Sequence, residues 1–504
     1  MRRPLLARMG HLCCPTLMAA LVALPVWPDA PRVGIRWKDL FGVHYTADRP
    51  DAGMARGLPL HSWGWECDVT DVQHDGVPAF RGPFSAQTRF HDFTGRYTGR
   101  RNLYEAVRHA GEVGVPILAP CGIVNRPDEL RKMLANDGLY WKDLVYHFVT
   151  TFNSGEYAAC PVLHWQLGNE INGVGHFNIR MLDESVTTGP GMWREFNRDE
   201  QIHAYVELHF APTAEAIRRA AHEVYGDQSP VKIVLGSVAN FYNPNSREWL
   251  HKLLDTQIRG DRAPTLKGKR VWEVADIISF HYLVTAAPAD WPEALDAIHE
   301  RWIASGRIEG MWATEEHGAR GRGAVTTART ALRWLWWWGE QPWHKDRGRV
   351  FMWGDDRSKP GGPGRLGSEI LYSFFGHRPI RRADGTSAAV PDLDGLETYA
   401  FECAPDTKLI ALWLREADAS GMIEKIEVGE TGELALTPQP AIRCIHLSSS
   451  EPPSMVAAHL TRERARTSVR LDRPLALRPG HEDSVLILLG DPALQLPPLA
   501  DTSA

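Results

Sequence analysis

The sequence predicts an α/β chain: a (β/α)₈ TIM barrel followed by a C-terminal antiparallel β-sandwich. Three observations carry this expectation. From about Gly34 to Phe375, short apolar runs alternate with helical patterns. Strands that alternate with helices form parallel βαβ units, and eight strand candidates suit a closed barrel. Runs such as Val231-Lys232-Ile233-Val234-Leu235 are apolar enough to be covered on both faces, as parallel strands are. Beyond Phe375 helical periods almost vanish, and short strand-like runs follow one another between turn residues, as in a sandwich.

At the N-terminus Arg2, Arg3 and Arg8 precede an apolar run over 12–27, followed by Pro28. This is the order of a secretory signal, so residues 1–30 are expected to be a signal peptide and the protein secreted or periplasmic. The competing reading is a true start at Met9 or Met18. The barrel is expected over 31–380, with strands at 40–45, 60–69, 116–123, 162–168, 231–238, 277–283, 310–314 and 350–353. Helical periods fall at 103–113, 128–152, 203–224, 246–255, 291–304 and 326–339. The region exceeds the ~250 residues typical of the fold, which leaves room for long loops; the longest is 172–201. A doubly wound sheet is the competing fold, but no GxGxxG or GxxxxGK[ST] follows the first strand. A linker rich in Arg, Gly and Pro is expected at 376–391. The sandwich follows over 390–492, with a flexible tail at 493–504.

The 504 residues include 56 Lys+Arg and 62 Asp+Glu, a net charge of −6. There is no basic footprint, so nucleic acid is not an expected partner. With 43% hydrophobic and 23% charged residues the chain is not mainly disordered. No run beyond the N-terminus is long and apolar enough to span a bilayer. Tryptophan is abundant, 19 against 16 Phe and 12 Tyr, and suits either stacking on sugar rings or packing helices on a barrel. Of the seven cysteines, Cys13 and Cys14 lie in the expected signal, and the other five are odd in number and widely spaced with no CxxC pair, so neither a zinc site nor a disulfide scaffold is expected. Cys403 and Cys444 lie in strand-like runs and are the one pair left open. No cofactor and no metal is expected.

In a (β/α)₈ barrel, catalytic groups come from the C-terminal ends of strands. The fourth candidate reads Val162-Leu163-His164-Trp165-Gln166-Leu167-Gly168-Asn169-Glu170, an apolar strand with Asn-Glu at its tip. The seventh reads Gly310-Met311-Trp312-Ala313-Thr314-Glu315-Glu316-His317, again ending in carboxylates. The sixth ends at His281-Tyr282 and the eighth at Trp353. Strands four and seven face each other across a barrel mouth. Two carboxyls in one cleft are what glycoside hydrolysis needs, one protonated to donate to the leaving oxygen and one ionised.

The combination resembles a clan A glycoside hydrolase, the retaining (β/α)₈ superfamily. Trp165…Asn169-Glu170 is similar to the clan's strand-four motif, and Trp312-Ala313-Thr314-Glu315…Gly318 to its strand-seven motif. His281-Tyr282 resembles the strand-six pair and Trp353 the strand-eight residue that floors the sugar subsite. A barrel followed by a β-sandwich is also similar to the β-xylosidase and α-iduronidase family within the clan. The resemblance implies Glu170 as acid/base, Glu315 as nucleophile, Asn169 on the sugar 2-hydroxyl, and Tyr282 as hydrogen-bond donor to Glu315. It implies an oligosaccharide, polysaccharide or glycoside as substrate. The chain departs from the pattern at Gly168, where Trp is frequent, at Ile171, where Pro is common, and in lacking an Arg near His61-Ser62-Trp63-Gly64-Trp65-Glu66.

Successive strand residues face opposite sides, so Glu315 and Glu316 are not expected to share one site from a regular strand. The motif phase favours Glu315. His44 is a substrate-contact candidate on the first strand, and Trp63 and Trp65 are stacking candidates on the second. His317 either orients a carboxylate or faces a loop. The run Trp334-Leu335-Trp336-Trp337-Trp338 has helical spacing and is expected in the core. Asp68, Asp71 and Asp75 near His74 match no calcium loop, and Asp355-Asp356 reads as a loop cap or a contact to sugar hydroxyls. The alternatives to a glycosidase are a sugar-binding barrel without turnover and an unrelated TIM-barrel hydrolase with a metal. The latter would require a His/Asp cluster at the strand ends.

Overall fold

The computed structural model describes residues 34–43, 65–66, 116–122, 124, 127–159, 161–173, 177, 198–286, 288–317, 323–344, 347–353, 363–376, 378–383, 396–404, 407–414, 421–430, 441–448, 453–463, 466–477, 484–490 and 500–501. Strand β1 (Ile35–Arg36) belongs to a sheet taken up below. The next eight are β2 (Phe41–Val43), β3 (Trp65–Glu66), β4 (Ile117–Cys121), β5 (His164–Leu167), β6 (Lys232–Leu235), β7 (Ile277–His281), β8 (Gly310–His317) and β9 (Gly348–Trp353). They form one parallel sheet in the order β2-β9-β8-β7-β6-β5-β4-β3. Each lies within or across one of the eight expected strands. The first pairs with the last, Phe41 beside Val350, so the sheet curls. Its two ends are the consecutive strands β2 and β3, and no ladder joins them among the described residues.

Period-2 alternation fills both faces. Leu118, Val234, Ile277, Trp312 and Phe351 cluster inside the curl, where the His164 ring lies 4.8 Å from Trp312. The intervening Ala119, Trp165, Ile233, Ile278, Met311 and Ala313 join the outer core. Helices cover that face, and among them Trp334, Trp337 and Trp338 are fully buried, which is the packing role expected of the Trp run.

The helix expected at 128–152 is two, Pro127–Leu134 and Leu139–Thr151, joined by a 3₁₀ turn in which Asn136 and Asp137 have φ of 51° and 54°. These short polar residues tolerate the left-handed region. The region 203–224 is helical through Arg198–Tyr205 and Ala211–Tyr225, with a π-turn at Val206–Phe210 between them. Pro244–Asp255, Trp291–Ile298 and Gly323–Trp338 answer to three further expected helices, and 103–113 lies outside the described residues. The short helix Trp37–Leu40 and the longer Pro363–Phe375 were not anticipated. Two glycines weaken the intrinsic helical signal of Pro363–Phe375. Gly367 is there for contact: a Cβ would lie 2.2 Å from the Ala324 carbonyl oxygen on the helix Gly323–Trp338.

The remaining strands are β10 (Pro379–Arg382), β11 (Leu396–Ala404), β12 (Thr407–Leu414), β13 (Gly421–Glu430), β14 (Ala441–Leu447), β15 (Ser454–Val456), β16 (Ala458–Glu463), β17 (Arg466–Leu477), β18 (Ser484–Gly490) and β19 (Ala500–Asp501). They make an eight-stranded sheet, β1-β10-β11-β12-β18-β14-β15-β19, and a three-stranded sheet, β13-β17-β16. All their ladders are antiparallel except β15 with β19. Alternation again divides the faces. Ile410, Leu412, Val485, Ile487 and Leu489 pack with Ile423, Ile426 and Val469 of the smaller sheet. Leu409, Ala411, Trp413, Leu486 and Leu488 face the other way, into the core shared with the parallel sheet.

Two expectations need correction. The stretch 376–391 is not simply a linker, because β10 lies within it, with Ile380 paired to Ile35 and Arg381 to Glu402. The tail is not wholly frayed, since Ala500 and Asp501 pair in parallel with Ser454 and Met455. Cys403 and Cys444 are both free thiols. No helix among the described residues is long and apolar enough to cross a membrane.

Candidate active site

At the end of β5, Gly168 takes φ 93°, which glycine adopts without steric cost. A Cβ at this position would lie 2.9 Å from Ile171 Cγ2 and close to Tyr205 and His209. The two departures from the clan pattern at this strand are therefore neighbours: the turn that admits Ile171 has no room for a large residue at 168. Glu170 follows with φ 45°, a left-handed conformation uncommon for glutamate. Ser237, just past β6, holds the turn in place. Its Oγ accepts from the Glu170 N–H at 3.0 Å and donates to Asn169 Oδ1 at 3.0 Å, while its carbonyl accepts from Ile171 N at 2.9 Å.

At the end of β7, His281 is fully buried, with Nδ1 3.2 Å from Glu170 Oε1 and Nε2 3.1 Å from the Thr314 hydroxyl. When the Thr314 hydroxyl donates to Nε2, Nδ1 carries the hydrogen and donates to Glu170. Tyr282 is a second left-handed residue, φ 63°. Its backbone N–H donates to the Glu315 carbonyl at 3.1 Å and its phenol donates to Glu315 Oε2. Burial first, and then the nearby charges of Glu315 and Glu170, raise the Tyr282 phenol above its ordinary range, which keeps it a donor. Left-handed φ at both Glu170 and Tyr282 is backbone strain concentrated where the side chains converge.

Strand β8 reaches His317, beyond the 310–314 expected. The reason for its length also resolves the phase of its carboxylates. His281 pairs with Glu315 although Phe280 pairs with Ala313, and on the other side Ala313 pairs with Val350 but Glu316 with Met352. These shifts mark a bulge at Thr314 and Glu315, a device that re-aims side chains near sites. Glu315 thereby meets Tyr282 and stands 3.7 Å from His281 Nδ1. Glu316 is fully buried elsewhere, bonded to Val284 and Thr285; burial raises its carboxyl above the usual range. One donor atom each from Glu170, His281 and Glu315 lies within 4.8 Å of the others. The Glu170 and Glu315 side chains keep 21% and 13% exposure against 0% for His281, so a ligand can reach the carboxyls but not the imidazole.

The structure therefore brings together Glu170, Glu315, His281 and Tyr282, with Asn169 alongside. Trp353 ends β9 beside His317, at the level of the carboxylates, though its side chain and that of His317 lie outside the described residues. Trp65 pairs with Ile117, the first residue of β4. That is the end of β4 away from Glu170, and the side chain of Trp65 lies outside the described residues. His44, Trp63, the stretch holding Asp68, Asp71, His74 and Asp75, and Asp355-Asp356 lie outside the described residues. Sequence reasoning missed Thr314 and Ser237; the second carries a legible signal, a serine just beyond an apolar strand.

Beneath the turn, Tyr205 donates to the Leu167 carbonyl at 2.6 Å and accepts from Gly236 N at 3.2 Å. His209 donates through Nε2 to the Gly122 carbonyl at 2.8 Å, and its buried Nδ1 has no partner. Burial lowers its pKa from 6.5 to about 4. The unfolded chain therefore binds a proton that the folded chain refuses, and stability is lost as pH falls from about 6.5 to about 4. The loss approaches roughly 3 kcal/mol at the low end. His209→Gln, which keeps a donor for Gly122, should flatten this part of the stability profile when thermal unfolding is followed across that range. An unchanged profile would show that His209 is not the group responsible.

No family model matches the chain, and no curated protein matches it. Solved structures similar to it include CelM2, a bifunctional glucanase-xylanase from a metagenome library, at 10% identity and TM-score 0.48, covering 91% of this chain and 97% of that one. A glucosidase from Croceicoccus marinus is 12% identical at TM-score 0.45, covering 90% and 96%. A GH51 arabinofuranosidase from Xanthomonas axonopodis pv. citri is 11% identical at TM-score 0.45, covering 91% and 98%. Likeness this distant says nothing about which residues act.

Proposed function

We propose that the chain is a retaining glycosidase of the clan A kind. In this reading the parallel sheet closes between β2 and β3 into a barrel, and the antiparallel sheets form an accessory β-sandwich. Residues 1–30 are a signal peptide, and the protein acts outside the cytoplasm on an oligosaccharide, polysaccharide or glycoside. The observation that carries the reading is the pairing of Glu170 and Glu315 from opposite strands, with a donor oxygen of each within 4.8 Å. Retaining enzymes hold their two carboxyls ~5–5.5 Å apart, and inverting enzymes ~6.5–9.5 Å.

The charge rests on Glu315, which accepts the Tyr282 hydrogen bond, and the proton on Glu170. A Glu315 oxygen bonds to the anomeric carbon as the bond to the leaving oxygen breaks, and that oxygen takes the Glu170 proton. Water then gives a proton to Glu170 and its oxygen to the anomeric carbon, which releases Glu315 as a carboxylate. Asn169 Oδ1 is occupied by Ser237, which leaves its Nδ2 to donate to the sugar 2-hydroxyl.

Incubation with 2-fluoro glycosides bearing activated leaving groups, followed by peptide mapping, should label Glu315. A label on another carboxylate would overturn the nucleophile assignment. A second reading has an observation of its own: Glu170, His281 and Glu315 are a set of groups able to hold a metal ion. Dialysis against a chelator separates the two, since activity survives it in a two-carboxylate glycosidase and is lost in a metal-dependent hydrolase.

A further inference from the structure

Glu316 is a carboxylate with no exposure at all, and a buried charge is tolerated only where donors surround it. Three of its donors come from one turn, and the Trp334 indole also acts on the carboxylate. Val284 N donates to Oε1 at 3.1 Å, Thr285 N donates to Oε2 at 3.0 Å, and the Thr285 hydroxyl donates to Oε2. The same turn is held from its other side, where Arg333 Nη1 donates to the Val284 carbonyl at 3.3 Å. Arg333 is itself fixed by Glu397 of β11, through Nε at 2.9 Å and Nη2 at 2.8 Å. Arg329 adds a contact to the same carboxylate at 2.7 Å. The turn begins two residues after Tyr282, whose left-handed backbone is costly for an aromatic residue and persists only where the surroundings impose it.

We propose that Glu316 is a positioning residue: it clamps the turn at Val284 and Thr285, and with Arg333 and Glu397 of the antiparallel sheet it holds Tyr282 in its left-handed conformation against Glu315. The consequence for turnover rests on the glycosidase reading above; the positioning itself does not. The two adjacent glutamates of β8 thus divide the work, Glu315 facing the substrate and Glu316 setting the donor that faces Glu315.

The test uses the full chain labelled with 3-fluorotyrosine. Its ¹⁹F spectrum contains the 12 tyrosines, and the Tyr282 resonance is the one lost in Tyr282→Phe. In Glu316→Gln, which presents an amide N–H to backbone donors, the Tyr282 resonance should move. Glu397→Gln and the near-isosteric Thr285→Val should move it in the same direction by less, and these milder variants carry the test if Glu316→Gln does not fold. On any glycoside the wild type hydrolyses, Glu316→Gln should lower kcat/KM by about 10²-fold. Combined with Tyr282→Phe, it should add little beyond the larger single loss. A Tyr282 resonance unmoved in folded variants, or fully additive losses, would overturn the proposal. A wild type that hydrolyses no glycoside would instead sink the glycosidase reading, and the ¹⁹F result would still decide the role of Glu316.

Discussion

Glu315→Ala is expected to lower kcat by about 10⁴-fold or more while the protein keeps its fold and still binds substrate. The side chain is 13% exposed and stands at the mouth end of β8, so its removal leaves no deep cavity. On the proposed mechanism, what disappears is the oxygen that bonds to the anomeric carbon. A small anion such as azide can occupy the vacated space and attack from the same face. Rescue should then yield a glycosyl azide of inverted anomeric configuration, identified by NMR. Wild-type rates in Glu315→Ala, or an azide product of retained configuration, would remove Glu315 from the nucleophile role.

Glu170→Ala is expected to separate substrates by leaving group. Protonation of the departing oxygen matters greatly for alkyl and sugar leaving groups, and those rates should fall by about 10²–10⁴-fold. Dinitrophenolate departs without a proton, so bond cleavage in dinitrophenyl glycosides should proceed nearly as in the wild type. Water attack on the glycosyl-enzyme would then lack its base and become slow, so the covalent intermediate should accumulate. A burst of phenolate followed by a slow steady state with a lowered KM is the kinetic sign. Uniform loss across all leaving groups would indicate that Glu170 supports the site instead of donating the proton.

The parallel strands were legible because each is an apolar run in a chain that buries both faces of its sheet, as at Lys232–Leu235 and Ile277–His281. Glu170, His281, Tyr282 and Glu315 were legible because a strand that ends in polar residues delivers them to one rim. The bulge at Thr314 and Glu315 was not, because it is a property of register between strands and leaves no mark on the alternation of β8 alone. The helix Pro363–Phe375 was hidden by two glycines, of which Gly367 serves close approach to a helix far back in the chain. The role of Glu316 was hidden for a related reason, since its partners Val284 and Thr285 lie on another strand's exit. What sequence reading misses here is pairwise, set between segments far apart in the chain.

Strand β1 near the start of the described chain pairs with β10, and β10 pairs with β11, so a strand that precedes the parallel sheet is tied to strands that follow it. Two arginines from a helix of the parallel layer reach across to Glu397 of β11 in the same antiparallel sheet. Such a molecule is ill suited to the cut-and-paste exchange by which many appended modules travel between genes. Deletion of everything after β9 would strip Ile35 of its ladder partner and leave Arg333 without its anion, so both halves must be inherited, expressed and engineered together.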